Sequence, residues 1–298
     1  MEFYHAATDF FCGQPSAVTL GKFDGLHRGH QKLVDQIIRQ KAAGLASVVF
    51  VIAPPGVPRI LTSQEMHRKL ESKGVDCLIE CPYVPEILSM SPEQFLKDVL
   101  IQKLHARYLA VGTDFHFGYQ RSGDADFLRS MQSKYHFRTD VIEKECFENR
   151  EISSTYVREA MKKGEIELVS HLLGYPFSIS GTVQHGRQLG RRIGMPTLNL
   201  IPPSEKLLPR NGVYYSRTLI DGAIYQSITN IGSKPTVDGT FLGAETYLYD
   251  FSEDMYGKEI TVELLSFRRP EQRFASVEEL KAQMQKDISS GKEYFCEN

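Results

Sequence analysis

Two short segments hold the residues best equipped for chemistry. In Gly21-Lys22-Phe23-Asp24-Gly25-Leu26-His27-Arg28-Gly29-His30, two histidines stand three apart among three glycines. The segment follows an apolar run and leads into an amphipathic stretch, so it reads as a strand end, a turn and a helix start. Gly21 and Gly25 let the backbone turn sharply, Gly29 keeps the helix start open, and the free N–H groups there attract an anion. Both imidazoles can then reach one phosphate-sized space. A glycine-rich turn with two surface histidines is the plain alternative, but spacing, preceding strand and following helix all coincide. In Ile152-Ser153-Ser154-Thr155-Tyr156-Val157-Arg158, hydroxyls precede an arginine by one helical turn. N-terminal donors with a guanidinium suit a polyphosphate, although the segment alone reads as an N-cap with a surface arginine. Neither a G-x-x-x-x-G-K-[ST] loop nor a G-x-G-x-x-G fingerprint is present.

The elements that must position these residues alternate through the first half. Ala17–Leu20, Ser47–Ile52, Val75–Ile79, Tyr108–Val111 and Thr139–Ile142 read as strands. Amphipathic helices fall at His30–Lys41, after a Thr62/Glu65 capping box, after Ser91-Pro92-Glu93-Gln94, at Ala125–Lys134, and around Tyr156–Lys163 and Ile166–Leu173. Strand–helix alternation predicts a parallel α/β sheet. After Gly174-Tyr175-Pro176 the pattern changes to strands at Phe177–Gln184, Gly212–Ile220, Ala223–Ile231, Ala244–Phe251 and Glu259–Phe267. Asp221-Gly222 supplies a tight hairpin turn, and one helix follows at Val277–Ile288. That half predicts an antiparallel barrel or sandwich. The expected domains are 1–175 and 176–298.

Composition narrows the partners. Against 37 acidic residues stand 35 Lys and Arg, a net charge of −2 that leaves no general basic grip on nucleic acid. The longest apolar run is far shorter than the roughly 20 residues of a membrane span, and the N-terminus lacks the pattern of a signal peptide. Five scattered cysteines suit a reducing compartment, and Cys77 with Cys81 is a weak metal signal. The expectation is a cytoplasmic protein, without membrane or nucleic-acid partners, that is a monomer or weak homo-oligomer.

Gly21–His30 and Ile152–Arg158 resemble the two signature segments of the FMN adenylyltransferase module of bacterial bifunctional FAD synthetases, within the H-x-G-H nucleotidylyltransferase superfamily. Gly112-Thr113-Asp114-Phe115-His116-Phe117-Gly118 resembles the family's G-x-D-F-x-F-G segment. In the second half, Gly190-Arg191-Arg192-Ile193-Gly194-Met195-Pro196-Thr197-Leu198-Asn199 resembles the G-R-x-x-G-x-P-T-x-N loop of riboflavin kinases. Asn230-Ile231-Gly232-Ser233-Lys234-Pro235-Thr236, Glu245-Thr246-Tyr247 and Tyr256-Gly257 resemble the later segments of that module. The resemblance spans nearly the whole chain in the family's order. It implies a Rossmann-like α/β domain followed by an antiparallel β-barrel with a C-terminal helix.

It also implies roles. His27 and His30 would stabilise adenylyl transfer, with Gly21, Asp24, Gly25, Gly29, Ser154, Thr155 and Arg158 around the ATP phosphates. For Asp24, turn capping stands beside direct contact. Asp114 and Phe115 would line the flavin side. In the second module Glu245 would take the proton of a ribityl hydroxyl, Gly190 and Gly194 would let a loop close over ATP, and Thr197 and Asn199 would meet Mg²⁺. Thr197 and Asn199 share one face of an extended segment, which lets two oxygens reach one hard cation. Arg269 would contact flavin or phosphate, or lie on the surface. Riboflavin, FMN, FAD, ATP and pyrophosphate are the implied ligands. A chain with one active module, or an idle flavin or nucleotide sensor, are the competing readings. Three positions depart from the family pattern: Lys22 for the commoner Asn, Ala53-Pro54-Pro55-Gly56 for a Pro-His-Pro turn, and Leu198 for a smaller alanine.

Overall fold

The computed structural model describes residues 1–52, 54–185, 190, 193–236 and 239–297, with the side chains of 233–242 outside that description. Ala53, Arg191 and Arg192, which figure in the motifs above, therefore lie outside the described residues, as do the side chains of Ser233–Thr236. The chain divides into two compact units, Met1–Ser154 and Thr155–Asn298.

The first unit is built on six parallel strands: β1 (Glu2–His5), β2 (Ser16–Gly21), β3 (Ala46–Ile52), β4 (Cys77–Cys81), β5 (Ala106–Gly112) and β6 (Arg138–Ile142). Their spatial order is β1-β4-β3-β2-β5-β6. β2 and β3 are buried almost throughout, as continuous apolar runs in a sheet covered on both faces must be. The edge strand β1 escapes the sequence pattern because its residues are largely exposed. Helix α1 (Arg28–Arg39) buries Leu33, Val34 and Ile37, and α2 (Ser63–Ser72) opens with both bonds of the expected capping box. Ser91 Oγ accepts from the Gln94 N–H, but the following turn, Phe95–Ile101, is π-helical rather than α. Helix α3 covers Ala125–Tyr135. Strand order reverses between β2 and β5, so the carboxyl ends of those strands, at Gly21 and Gly112, border the crevice where such sheets take ligands. Cys77 and Cys81 are free and buried, and burial pushes their thiols up to about 12 and about 11, which leaves them inert.

The second unit contains helices α4 (Ser154–Lys163, from Thr155 onward) and α5 (Ile166–Leu173), then six antiparallel strands closed into a barrel. These are β7 (Ser178–Gln184), β8 (Leu198–Ile201), β9 (Gly212–Ile220), β10 (Ala223–Thr236), β11 (Gly239–Leu248) and β12 (Glu259–Pro270). Their order is β7-β8-β11-β10-β9-β12, with β12 pairing back to β7. The β9–β10 hairpin turns on Asp221 and Gly222, both at positive φ (47° and 84°), the conformation expected of a two-residue type I′ loop. Val213 and Tyr215 on β9 pack outward toward the C-terminal helix α6 (Val277–Glu297). The alternate residues point inward. There Ser216, Thr218, Ser227, Thr229 and Thr246 are fully buried and linked hydroxyl to hydroxyl at 2.7–3.0 Å.

Helix α6 runs nine residues beyond the expected stop at Ile288, through Ser289-Ser290-Gly291. The reason is contact with the barrel. Tyr249 Oη donates to the Ile288 carbonyl at 2.6 Å, Tyr215 Oη pairs with Ser290 Oγ at 2.6 Å, and Gly291 is buried against Tyr249 and Ile228. A Cβ on Gly291 would overlap the Tyr249 hydroxyl and lie 2.8 Å from Ile228 Cδ1. Alanine is about 1 kcal/mol better than glycine in a helix, yet overpacking costs about 1–3 kcal/mol. Gly291→Ala should therefore lower the thermal midpoint of the barrel unit in the full chain, read by near-ultraviolet circular dichroism; a raised midpoint would refute this packing account.

Candidate active sites

In the first unit the turn after β2 is a strained one. Phe23 (φ 47°) and Leu26 (φ 40°) adopt left-handed backbone although neither is glycine, and Gly25 between them has φ 82°. Such residues cost about 1–3 kcal/mol each unless their surroundings impose them. Here burial does: Phe23 and Leu26 are almost wholly enclosed. Gly25 has no room for a side chain, since a Cβ would lie 3.0 Å from Ile60. Asp24 holds the turn: its Oδ1 accepts from the Ile60 N–H at 2.8 Å, and its carbonyl accepts from Ser154 Oγ at 2.9 Å. The turn is thus tied on one side to the 57–61 loop and on the other to the second signature segment.

His27 caps α1, its Nδ1 accepting from the His30 N–H at 3.4 Å. The two rings stack 3.6 Å apart with a 21° tilt, and His30 also leans on Phe23. Burial holds the His27 imidazole down to about 4, against a smaller upward pull from Asp24 and Glu145; burial and then His27 hold His30 well below its ordinary value. Both histidines are therefore neutral at pH 7. With Nδ1 accepting, the proton of His27 sits on Nε2, which makes that edge a donor. His30 Nδ1 is buried without a hydrogen-bond partner. Gly29 lies against the His27 ring, where a Cβ would stand 3.4 Å away. Glu145 pairs with Arg28 and lies 3.4 Å from Lys32, placing two cations at the start of α1. Gly21 closes β2, and a Cβ there would press on the Phe23 ring.

The remaining residues expected at this site are placed as follows. Asp114 is exposed and pairs with Lys144 at 3.0 Å, which also holds Glu151. Phe115 stacks on Phe117 and packs against the sheet core. Thr155 (exposed) and Arg158 (half-buried) lie in the first turns of α4, in the second unit.

In the second unit a cavity of about 220 Å³ lies between the outer face of the barrel and α6. Gly190, Thr197, Glu245 and Arg269, all expected site residues, line it. So do Val213, Ile228, Tyr247, Leu280, Met284 and Ile288, which make one end apolar. The Gly190 carbonyl accepts from the N–H groups of Ile193 (3.2 Å) and Met195 (2.8 Å), folding the loop onto itself. Gly190 could not be larger, because a Cβ would strike the Met195 carbonyl, and Gly194 sits at φ 81°. Asn199 is the cross-strand partner of Glu245, and its buried Oδ1 has no hydrogen-bond partner among the described residues. Arg269, on the cavity wall, is also tied to the C-terminal helix. Its guanidinium grips Asp287 of α6 in a bidentate pair at 2.7–3.1 Å, Asp287 being only 4% exposed. Sequence reasoning missed Asp287, since nothing local marks an aspartate on a helix as the partner of a strand arginine.

The neutral histidines make stability depend on pH. Between about 4 and the ordinary 6.5 the unfolded chain holds the His27 proton and the folded chain does not. This contribution is intact above pH 6.5 and is lost as pH falls toward 4, by up to about 3 kcal/mol. Urea denaturation of the full chain should show a loss from pH 7 to pH 5 that is smaller in His27→Gln; an equal loss in both proteins would contradict the burial account.

Two family models match the chain: FAD synthetase over residues 12–156 and riboflavin kinase over residues 173–295. The chain is 33% identical over 294 residues to the bifunctional riboflavin kinase/FMN adenylyltransferase of Haemophilus influenzae, covering 95% of each protein. It is 36% identical over 289 residues to the protein so named in Escherichia coli strain K12, covering 93% of this chain and 92% of that one. A solved structure described as a macrolide-efflux protein from Streptococcus pneumoniae superposes with a TM-score of 0.87 at 28% identity, covering 97% and 98% of the two chains. No helix among the described residues of the present chain is long and apolar enough to cross a membrane. On these matches and the motifs in place within both units, the chain belongs to the bifunctional riboflavin kinase/FMN adenylyltransferase family, which phosphorylates riboflavin to FMN and adenylylates FMN to FAD.

Proposed function

We propose that the two reactions are divided between domains 1–175 and 176–298, each carried by its own set of residues. The observation that carries the kinase half is the place of Glu245, on the wall of the barrel cavity beside an unpartnered Asn199 oxygen. A ribityl hydroxyl is a poor nucleophile until its proton is removed, and Glu245 is the carboxylate that accepts it as the oxygen attacks the γ-phosphate of ATP. The ADP oxygen leaves with the bond electrons, giving FMN and ADP. Gly190 and Gly194 let the loop approach the nucleotide phosphates. Thr197 and Asn199 suit a hard cation: one offers a hydroxyl, the other a buried amide oxygen with no other partner. Mg²⁺ held there would neutralise charge on the transferring phosphate. Arg269 acts at one remove from the flavin, fastening α6 over the cavity through Asp287.

In the first domain the FMN phosphate, already an anion, attacks the α-phosphate of ATP and pyrophosphate leaves. No protein base is needed, so positioning and neutralisation of charge carry the rate. The fixed turn of Gly21, Asp24 and Gly25, the open start of α1 at Gly29, and the His27 Nε2–H donor support this reading, with His30 stacked behind. Ser154, Thr155 and Arg158 take the β- and γ-phosphates by the family pattern, and Asp114 with Phe115 takes the flavin side. Five free cysteines support a reducing, cytoplasmic setting, and a monomer or weak oligomer completes the proposal.

Incubation with riboflavin, ATP and Mg²⁺, followed by chromatography, should yield both FMN and FAD. Glu245→Ala should abolish FMN formation while FAD still forms from supplied FMN. His30→Ala should do the reverse, lowering FAD formation about a hundredfold by removing the ring that backs the His27 donor. Equal loss of both activities in each variant would sink the division of labour.

A further inference from the structure

Glu245 stands in a row that crosses five strands. Its partner on β8 is Asn199 and its partner on β10 is Asn230; Asn230 in turn faces Val213 on β9, and Val213 faces Arg269 on β12. Directly paired residues share a face of the sheet, and neighbouring strands are about 4.8 Å apart, so both asparagines flank the carboxylate at one strand's distance. The Oδ1 of each is buried and has no hydrogen-bond partner among the described residues. An unmade hydrogen bond at such an atom costs about 1–3 kcal/mol, so two of them beside one carboxylate point to a polar ligand.

The two asparagines are not equivalent. Asn199 lies toward Thr197 and the Gly190 loop. Asn230 lies on the opposite side, lining the cavity where its apolar part begins: Val213 is its direct neighbour, Ile228 follows on the same face of β10, and Tyr247 faces Ile228. A flat apolar ring system resting on Val213, Ile228, Met284 and Ile288 must lead its polyol chain past Asn230 to bring the terminal hydroxyl to Glu245.

We infer that Asn230 is the specificity-determining residue for the ribityl chain: its amide oxygen accepts a hydrogen bond from the hydroxyl one carbon in from the phosphorylated one. This holds the terminal hydroxyl toward Glu245 and rejects flavins whose chain lacks that group. The inference rests on Glu245 being the proton acceptor.

The test compares riboflavin with 4′-deoxyriboflavin as kinase substrates of the full chain, in wild type, Asn230→Leu and Asn230→Ser. Asn230→Leu should lower kcat/KM for riboflavin about tenfold to a hundredfold, while its kcat/KM for the deoxy analogue stays within about threefold of wild type. Asn230→Ser, which keeps an acceptor, should fall between. KM for ATP and the Mg²⁺ dependence should not move. Binding of lumiflavin, which has no ribityl chain, is followed by fluorescence quenching and should be unchanged, since it reads only the apolar end of the cavity. Equal losses for both substrates, a raised ATP KM, or joint loss of lumiflavin binding in both variants would overturn the inference. Glu245→Gln separates the two readings: unchanged kcat there refutes the proton acceptor, whereas the discrimination between the two substrates decides the role of Asn230 independently.

Discussion

The proposed kinase site depends on the pairing register of β11 with its two neighbours. Glu245 faces the cavity and Thr246 faces the barrel interior, so a slip of one residue would exchange them. Apolar interiors tolerate such slips poorly, and a hydroxyl interior tolerates them less. Thr246 bonds to Thr229, Thr229 to Ser216, and Ser216 to Ser227, each fully buried and each satisfied only in this register. A buried polar network adds little net stability when complete and becomes costly when broken. It therefore acts on the outer face at a distance: the bonds inside hold Asn199, Glu245 and Asn230 in one line outside.

The first unit reaches the same end by different means. Its site lies on a turn rather than a strand, and turns have no register to hold them. Enclosure of Phe23 and Leu26 imposes the left-handed backbone, and the Asp24 carboxylate and carbonyl tie the turn to flanking segments. The histidines are kept uncharged by the same enclosure, and the His30 N–H to His27 Nδ1 bond leaves the His27 proton on Nε2, so that ring offers a donor rather than a cation. Positive charge is supplied by Arg28 and Lys32, themselves balanced by Glu145.

Much of this was legible in the chain and some was not, for identifiable reasons. Buried strands such as Ser16–Gly21 and the Asp221-Gly222 hairpin declare themselves because burial and φ constrain residue type locally. Strand Glu2–His5 does not, because an exposed edge accepts polar residues. The last nine residues of α6 read as a helix stop, since Ser-Ser-Gly disfavours helix on its own; contact between Gly291 and Tyr249 overrides propensity. At the candidate sites, motif spacing singles out His27, His30 and Glu245, but the enclosure of the histidines and the Arg269–Asp287 pair arise from distant segments meeting. Asn230 carries no local signal in the sequence, because its significance lies in facing Glu245 across a strand pair.

The cavity has a bearing on energetics as well as on chemistry. Leu280 and Met284 of α6 line the cavity with Val213 and Ile228, while Ile288 both lines it and packs against that pair. In packing terms the layer between helix and barrel is unfinished, and a planar apolar ligand is the piece that completes it. With the flavin placed as proposed, its binding and the cohesion of the C-terminal helix would be one equilibrium: the ligand gains from apolar area that folding left uncovered, and the fold gains by mass action as the ligand concentration rises above Kd. On that reading the substrate would complete the hydrophobic layer between helix and barrel.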